Sequence, residues 1–505
     1  MGNGLKDCWL KLARSSSRIF LVLVGAWLVG LVAHALIEKP IAGTTIVAIS
    51  AIGATVFSLA ARLSWRAVFI LLTVTSAILG FWRYNEAWRR SAYTQPEIEI
   101  IADQFEAIVV ADARVRVAES MLTVDDIRTA DGQALPGRAQ LYVRSPFSYL
   151  YGERVTWKCQ PRPVSTKSDN WNDRLLLAGA RWTCTVYDPP EVLASNQGNK
   201  IRAWLSMLKR GVIASIQRIL PEPEASFLLG LLIGVKDGLP EQLTESFRNT
   251  GTSHILAVSG YNVTQLINVG TLLLALILVP RRRSVALMAG VVIVFACIVG
   301  GDASVIRAAI MGCVGILATL YRRQYSGVRA LLAAAALMLL VNPLVLRHDV
   351  GFQLSFAAVW GLHALAPGLL GFLPLSRRAG VGRILGETLA ATLATLPIVL
   401  FVFGRLPAIG LLANLLILPI IPWAMLFGAL AAAVGLMSGA LALVPAMAAA
   451  WLMRLVEWIA ITSARLMPLA LEAKIGIITV GLLYLWLILL AIALSQRQKR
   501  IWLKN

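Results

Sequence analysis

Long apolar runs separated by short polar stretches fill most of the chain, and they predict membrane-spanning helices. A bilayer core of about 30 Å takes about 20 helical residues. Three such segments come first, near 19–37, 41–60 and 66–82. From about 97 to 195 the pattern becomes short alternation with turn signals. It predicts strands at Glu97–Ile101, Ala107–Val117, Ala139–Val143, Arg154–Cys159 and Ala180–Tyr187, with a short helix at Asp169–Ala180 between the fourth and fifth. Apolar residues at spacings of three and four among Arg202, Lys209, Arg210 and Arg218 predict a basic amphipathic helix over Lys200–Leu220, the kind that lies at a membrane surface. Phe227–Gly234 is apolar but too short to span, so it reads as re-entrant or half-buried. Further spans are predicted near 254–280, 285–300, 304–321, 328–341, 351–370, 384–403, 408–434, 439–466 and 475–494.

Composition agrees. Hydrophobic residues are 58% of 505, and mean hydropathy is +0.72. The fold class is a polytopic α-helical membrane protein with an extracytoplasmic small all-β (OB-fold-like) insert. Four parts follow: 1–96, N-terminal transmembrane helices; 97–199, the OB-like domain; 200–235, amphipathic and re-entrant helices; 236–505, the main transmembrane domain. The net charge of +20 divides as +7 over 1–96, −3 over 97–199 and +16 over 200–505. Positive charge thus belongs to the membrane parts, as the positive-inside rule requires, with some left to serve an anionic substrate. Basic clusters at Arg281–Arg283, Arg322–Arg323, Arg377–Arg378 and Arg497–Arg500 fall on alternate loops. This orientation puts both termini in the cytoplasm and the β-insert outside. Cys159 and Cys184 lie in two of the predicted strands and can form a disulfide if the insert faces an oxidising compartment. With four histidines and no C-x-x-C pair, neither a metal site nor a cofactor is expected.

Polar residues recur inside the second hydrophobic block in four patterns, and intramembrane polar groups are functional candidates by default. The first runs Gly230-Leu-Leu-Ile-Gly234-Val-Lys-Asp237-Gly-Leu-Pro240 and on through Arg248, His254, Ser259, Gly260 and Asn262. The second, Gly301-Asp302-Ala-Ser304-Val-Ile-Arg307, puts Ser304 and Arg307 on one helix face, with Arg307 either functional or paired to Asp302 as an anchor. The third is Asp349-Val-Gly351-Phe-Gln353-Leu-Ser355-Phe356. The fourth joins Leu396-Pro397 and Phe403-Gly404 to Ala413-Asn414-Leu415, where a mid-span proline frees a carbonyl and Asn414 can bond across helices. Each pattern alone also suits ordinary helix–helix packing.

In this order the four patterns resemble the competence domain of the ComEC family of DNA-uptake channels, over about 221–425. The insert resembles, more weakly, that family's external OB-fold domain. Two departures stand out: Ser259-Gly260-Tyr261-Asn262 replaces S-G-L-H, and Ala303 replaces a proline. Many members carry a C-terminal metallo-β-lactamase-like domain. This chain ends about ten residues after its last apolar run, so that domain is expected to be absent and any nuclease to act in trans.

The resemblance implies a non-enzymatic channel of the bacterial cytoplasmic membrane for single-stranded DNA. Its partners would be the strand, a DNA receptor, cytoplasmic DNA-translocating or ssDNA-binding proteins, and the lipid bilayer. A sliding strand needs sites that bind and release. Ser259, Ser304 and Gln353 would donate weakly, while Arg248 and Arg307 would supply full charges. Helix N-termini near Ser253 and Ser304 would add partial charge, and Phe352, Phe356 and Trp360 would stack bases. On the insert, Arg154, Lys158 and Arg162 with Trp157, Trp171 and Trp182 could form a local nucleic-acid patch. A secondary transporter for a small anion is the alternative, since broken helices with an intramembrane arginine serve that too. Ser259 as a nucleophile is disfavoured, because no G-x-S-x-G elbow occurs. No P-loop occurs either, so energy must come from partners or ion gradients.

Overall fold

The computed structural model describes residues 16–37, 65–91, 103–115, 119–165, 170–235, 238–256, 258–371, 381–406, 409–466 and 471–502. The apolar segment at 41–60, the strand expected at 97–101 and Asp237 lie outside the described residues.

The protein is a multi-pass helical membrane protein with a β-rich insert. It opens with α1 (Ser16–Ile37) and α2 (Trp65–Arg90). Gly30 lies against the Ala77 carbonyl and Gly80 against that of Trp27, and a Cβ at either would run into backbone. Small residues permit this approach, and close contact drives helix association where lipid is as apolar as leucine.

The insert holds β1 (Gln104–Val109), β2 (Arg114–Val115), β3 (Ser120–Thr129), β4 (Ala134–Leu135), β5 (Arg138–Val143), β6 (Arg154–Lys158), β7 (Arg162–Pro163), α3 (Asn170–Leu177), β8 (Ala180–Val186) and β9 (Glu191–Ala194). The strand order is β7-β8-β5-β3-β1-β6-β9. The β5–β8 pair is parallel, while β1–β3, β1–β6 and β3–β5 are antiparallel. The sheet curls until β8 and β6, on opposite flanks, are joined by the Cys159–Cys184 disulfide. Phe105, Leu122, Leu141, Val155, Trp157 and Trp182 fill the inside. The result is a partly open, OB-like barrel. The sequence pattern misses β3, because Asp125 and Asp126 interrupt its apolar alternation. The structure absorbs them at a register shift against β1, with Asp126 at φ 53°.

After the insert, α4 (Lys200–Ile219) is capped by Asn199, whose Oδ1 accepts from the Ile201 N–H at 2.9 Å. Ser206 and Arg210 of α4 bond to Asp112 of the insert, and Ser215 donates to the Ala432 carbonyl at 3.0 Å. The short apolar segment becomes α5 (Glu224–Ile233), buried along its whole length and ended by Gly234 at φ 76°. Next come α6 (Glu241–Asn249), α7 (Gly260–Leu276), α8 (Arg281–Val299), α9 (Ala303–Leu320), α10 (Gly327–Val341), α11 (Val345–His348), α12 (Val350–Ala364), α13 (Ala366–Leu370) and α14 (Val381–Phe403). Then follow β10 (Arg405–Leu406), α15 (Gly410–Ile417), α16 (Ile421–Gly435), α17 (Gly439–Leu466), β11 (Leu471–Glu472) and α18 (Ile477–Trp502). Among the described residues six helices are long and apolar enough to cross a membrane, or seven if α15 and α16, bent by 47°, count as one span.

Three expected spans differ in detail. The one placed from 254 begins at Gly260. The one over 351–370 breaks at Leu365, and the one over 408–434 breaks after Ile417. Pro367 and Pro422 stand in the first turn of the helix after each break, where a missing N–H is tolerated.

The two ends of the bundle differ. Arg281 Nη2 donates to the Thr319 carbonyl at 2.5 Å, so the Arg281–Arg283 and Arg322–Arg323 clusters share one end. The insert docks at the other. There His348 Nδ1 lies 3.0 Å from Asp173 Oδ1 of α3, and the Trp88 ring stacks on His348 with centroids 5.6 Å apart. Arg83 donates to the Leu340 and Val341 carbonyls that end α10.

Candidate functional site

The site is built where short helices begin and end inside the bundle. Thr250 and Thr252, with hydroxyls 2.7 Å apart, tie the turn after α6 back to the Phe247 carbonyl, and α7 starts at Gly260. Ser259 precedes it in extended conformation, with Oγ 3.2 Å from Asn262 Oδ1. Asn262 is buried, and its Nδ2 donates to the Leu231 carbonyl at 2.8 Å. That bond fixes the first turn of α7 to the last turn of α5.

Two glycines with positive φ, Gly300 and Gly301, turn the chain into α9. Ser304, in its first turn, donates to the Val258 carbonyl at 3.4 Å. Arg307, one turn on, is 7% exposed. Its Nη1 donates to the Ser355 carbonyl of α12, and its guanidinium carbon is 5.9 Å from the centre of the Phe356 ring. Phe352 packs on Phe356 with centroids 4.3 Å apart. Gly260 makes room for the cation, since a Cβ there would stand 2.8 Å from Nη2.

Among the described residues no carboxylate pairs with Arg307, so the Asp302 anchor does not form. Arg307 Nε and Ser355 Oγ are both buried without a hydrogen-bond partner. A buried cation with spare donor capacity and no counter-charge is costly in low dielectric. The first turns of α7 and α9 meet here too, and helix N-termini offer N–H groups and partial positive charge to anions. The arrangement can accept a negative group.

Three of the four sequence patterns therefore meet at Arg307, supplying Ser259, Asn262, Ser304, Ser355 and Phe356. Gln353 does not join them: its Nε2 donates to the Leu346 and Arg347 carbonyls at 3.1 and 2.7 Å, closing α11. Arg248 is exposed, and among the described residues neither it nor His254 makes a hydrogen bond to this group. Ser253 lies in a turn and not at a helix N-terminus. Asn414 is buried in α15 with Oδ1 unpartnered and no hydrogen bond to the Arg307 group. On the insert, Trp157 and Trp182 are core residues at 4% and 5% exposure, so they offer no stacking platform, and Arg154 is paired to Asp126. Nothing in the local sequence pattern marks the seam of Trp88, Asp173 and His348, because Asp173 and His348 are 175 residues apart.

The comparisons point the same way. Residues 231–499, which include every member of the Arg307 group, match the Competence protein family. The chain is 24% identical over 263 residues to ComE operon protein 3 of Bacillus subtilis (strain 168), covering 52% of this chain and 33% of that one. It is 28% identical over 247 residues to the uncharacterized protein YcaI of Escherichia coli (strain K12), covering 47% of this chain and 32% of that one. These alignments span about a third of the relatives' length. No solved structure matches. A family match over more than half of the chain, on the segment that builds the buried arginine site, makes this protein a ComEC-type member of the competence-protein family.

Proposed function

We propose that the protein is a membrane channel through which single-stranded DNA enters the cytoplasm during natural transformation, with the Arg307 group in the strand's path. The observation that carries this reading is a buried arginine, with no carboxylate partner among the described residues, at the meeting point of two helix starts. Family membership favours DNA as the anion. The chemistry suits transit: one full charge with spare donors, hydroxyls at Ser259, Ser304 and Ser355, and an aromatic pair on which any base can stack. The basic loop clusters support a reading in which their end of the bundle faces the cytoplasm of a bacterial inner membrane and the insert lies outside. A DNA receptor outside, and DNA-translocating or strand-binding proteins inside, would supply direction.

The test uses a naturally competent host with the chromosomal copy changed to Arg307→Gln, following labelled DNA from the outer compartment to the cytosol. The reading expects normal protein level, retained outer DNA and loss of cytosolic DNA. Undiminished cytosolic DNA makes Arg307 a structural anchor. Undiminished uptake after deletion of the gene brings the small-anion transporter forward.

A further inference from the structure

A cavity of about 450 Å³ opens where the insert meets the bundle. Arg90, at the end of α2, lines it from the bundle. Arg138 and Arg181 line it from the insert, and Asp125 is the one carboxylate in its wall. Leu177 and Leu344 form its apolar part. Arg90 Nη2 lies 2.6 Å from Glu86, and Arg138 Nε lies 3.0 Å from Asp125. Arg181 has no ion pair among the described residues. Its stem passes over Gly137, which has a φ of 85° and where a Cβ would stand 2.8 Å from Arg181 Cδ. A guanidinium group carries several N–H donors in a planar fork, so an arginine already beside a carboxylate can also hold a phosphate. The wall brings three such groups against one carboxylate, in a volume that suits a small ligand.

The cavity's place in the fold says which anion. Arg83, on α2 before Arg90, donates to the Leu340 and Val341 carbonyls, so α2 and α10 end at the same level. On the bundle side of the cavity Leu337, Leu340 and Val341 of α10 are exposed, Val341 at 81%, and Trp82 of α2 is exposed beside Arg83. Tryptophan and arginine at the end of an apolar helix mark the headgroup level of a bilayer. A soluble anion would use the arginines alone. A phospholipid uses both features, with its phosphate among the guanidinium groups and its acyl chains along α10. Basic pockets between membrane helices hold anionic headgroups in this way.

We propose that the junction cavity is a binding site for the phosphate headgroup of an anionic phospholipid, held by Arg90, Arg138 and Arg181, with the acyl chains on the exposed face of α10. Arg90 belongs to the bundle and the other two arginines to the insert, so the bound lipid clasps the insert to the membrane domain. The inference goes beyond the channel reading and does not depend on what the protein carries.

The test uses the full-length protein in neutral detergent, titrated with phosphatidylglycerol or phosphatidylcholine. Native mass spectrometry counts bound lipid, and the thermal midpoint is followed in parallel. Phosphatidylglycerol should stay bound and raise the midpoint, and phosphatidylcholine should do neither. Each arginine beside an anionic headgroup is worth about fivefold in affinity, so Arg90→Gln with Arg181→Gln should bind about 25-fold more weakly and lose the gain in midpoint. The matching double lysine variant should recover most of both, which separates charge from folding. Arg181→Gln alone breaks no ion pair, should lose about fivefold, and carries the same test if the double variant does not fold. Arg114→Gln with Arg128→Gln removes the same charge from exposed positions of the insert outside the cavity and should bind as the wild type does. Equal retention of the two lipids by the wild type overturns the proposal, as does wild-type affinity for phosphatidylglycerol in the glutamine variants. Inorganic phosphate that displaces the lipid and raises the midpoint as far assigns the cavity to a soluble anion and overturns it too.

Discussion

A few side chains set the character of the candidate path, and Asn262 shows how. Its bond to the Leu231 carbonyl holds the start of α7 to the end of α5, and both partners are buried. Replacing it with alanine leaves that carbonyl without its donor, at about 1–3 kcal/mol. Asn262→Ala should therefore lower the thermal midpoint in detergent and reduce transformation together, whereas Arg307→Gln should reduce transformation without lowering the midpoint. The second half follows from desolvation, since removing a buried unpaired charge relieves a cost and does not create one. The docking seam gives a pH prediction. Burial pushes the His348 imidazole below its ordinary value, and the neighbouring Asp173 only partly opposes this. A histidine whose folded pKa is depressed favours folding while neutral. That stability is intact above the unfolded value of about 6.5 and is lost as pH falls below it toward the folded pKa. The midpoint of the wild type should drop over that range by more than that of His348→Gln, measured by thermal unfolding in detergent. Equal drops would remove His348 as the cause.

Elements are held by close approach where the membrane offers little hydrophobic drive. Gly80→Ala puts a Cβ into the Trp27 carbonyl and should separate α1 from α2, costing about 1–3 kcal/mol and lowering the amount of protein in the membrane. Gly25, with open space around it, should accept alanine without loss, and quantitative blotting of both variants checks the contrast. Most elements are readable because periodicity is local information: α4, α5 and the insert's helix α3 appear in the apolar spacing. What escapes is what neighbours decide. The acidic pair inside β3 hides a strand that the sheet nonetheless holds. Helix breaks at Gly260 and Leu365 depend on the turns and prolines around them. Arg307, Ser304 and Ser355 stand out in sequence as polar residues in apolar runs, but their meeting depends on how α9 and α12 pack. Tryptophans of the insert mislead for the same reason: an aromatic in an alternating strand points inward or outward according to register.

For the whole molecule, the structure separates a covalently closed insert from a bundle whose core is apolar except at a few places. Removing the Cys159–Cys184 bond, which closes a separation of 25 residues, should destabilise the insert by about 3 kcal/mol. Limited proteolysis with and without reductant should show cleavage confined to the insert while the helical part survives. Cleavage throughout would mean the two parts do not unfold separately. The most direct measurement places a photo-crosslinking residue at position 356, beside Arg307, in a competent host taking up labelled DNA. The account predicts a covalent adduct of the labelled single strand there, and none with the same probe at Leu430, which is 50% exposed on α16. Full transformation with no adduct at 356 would contradict it.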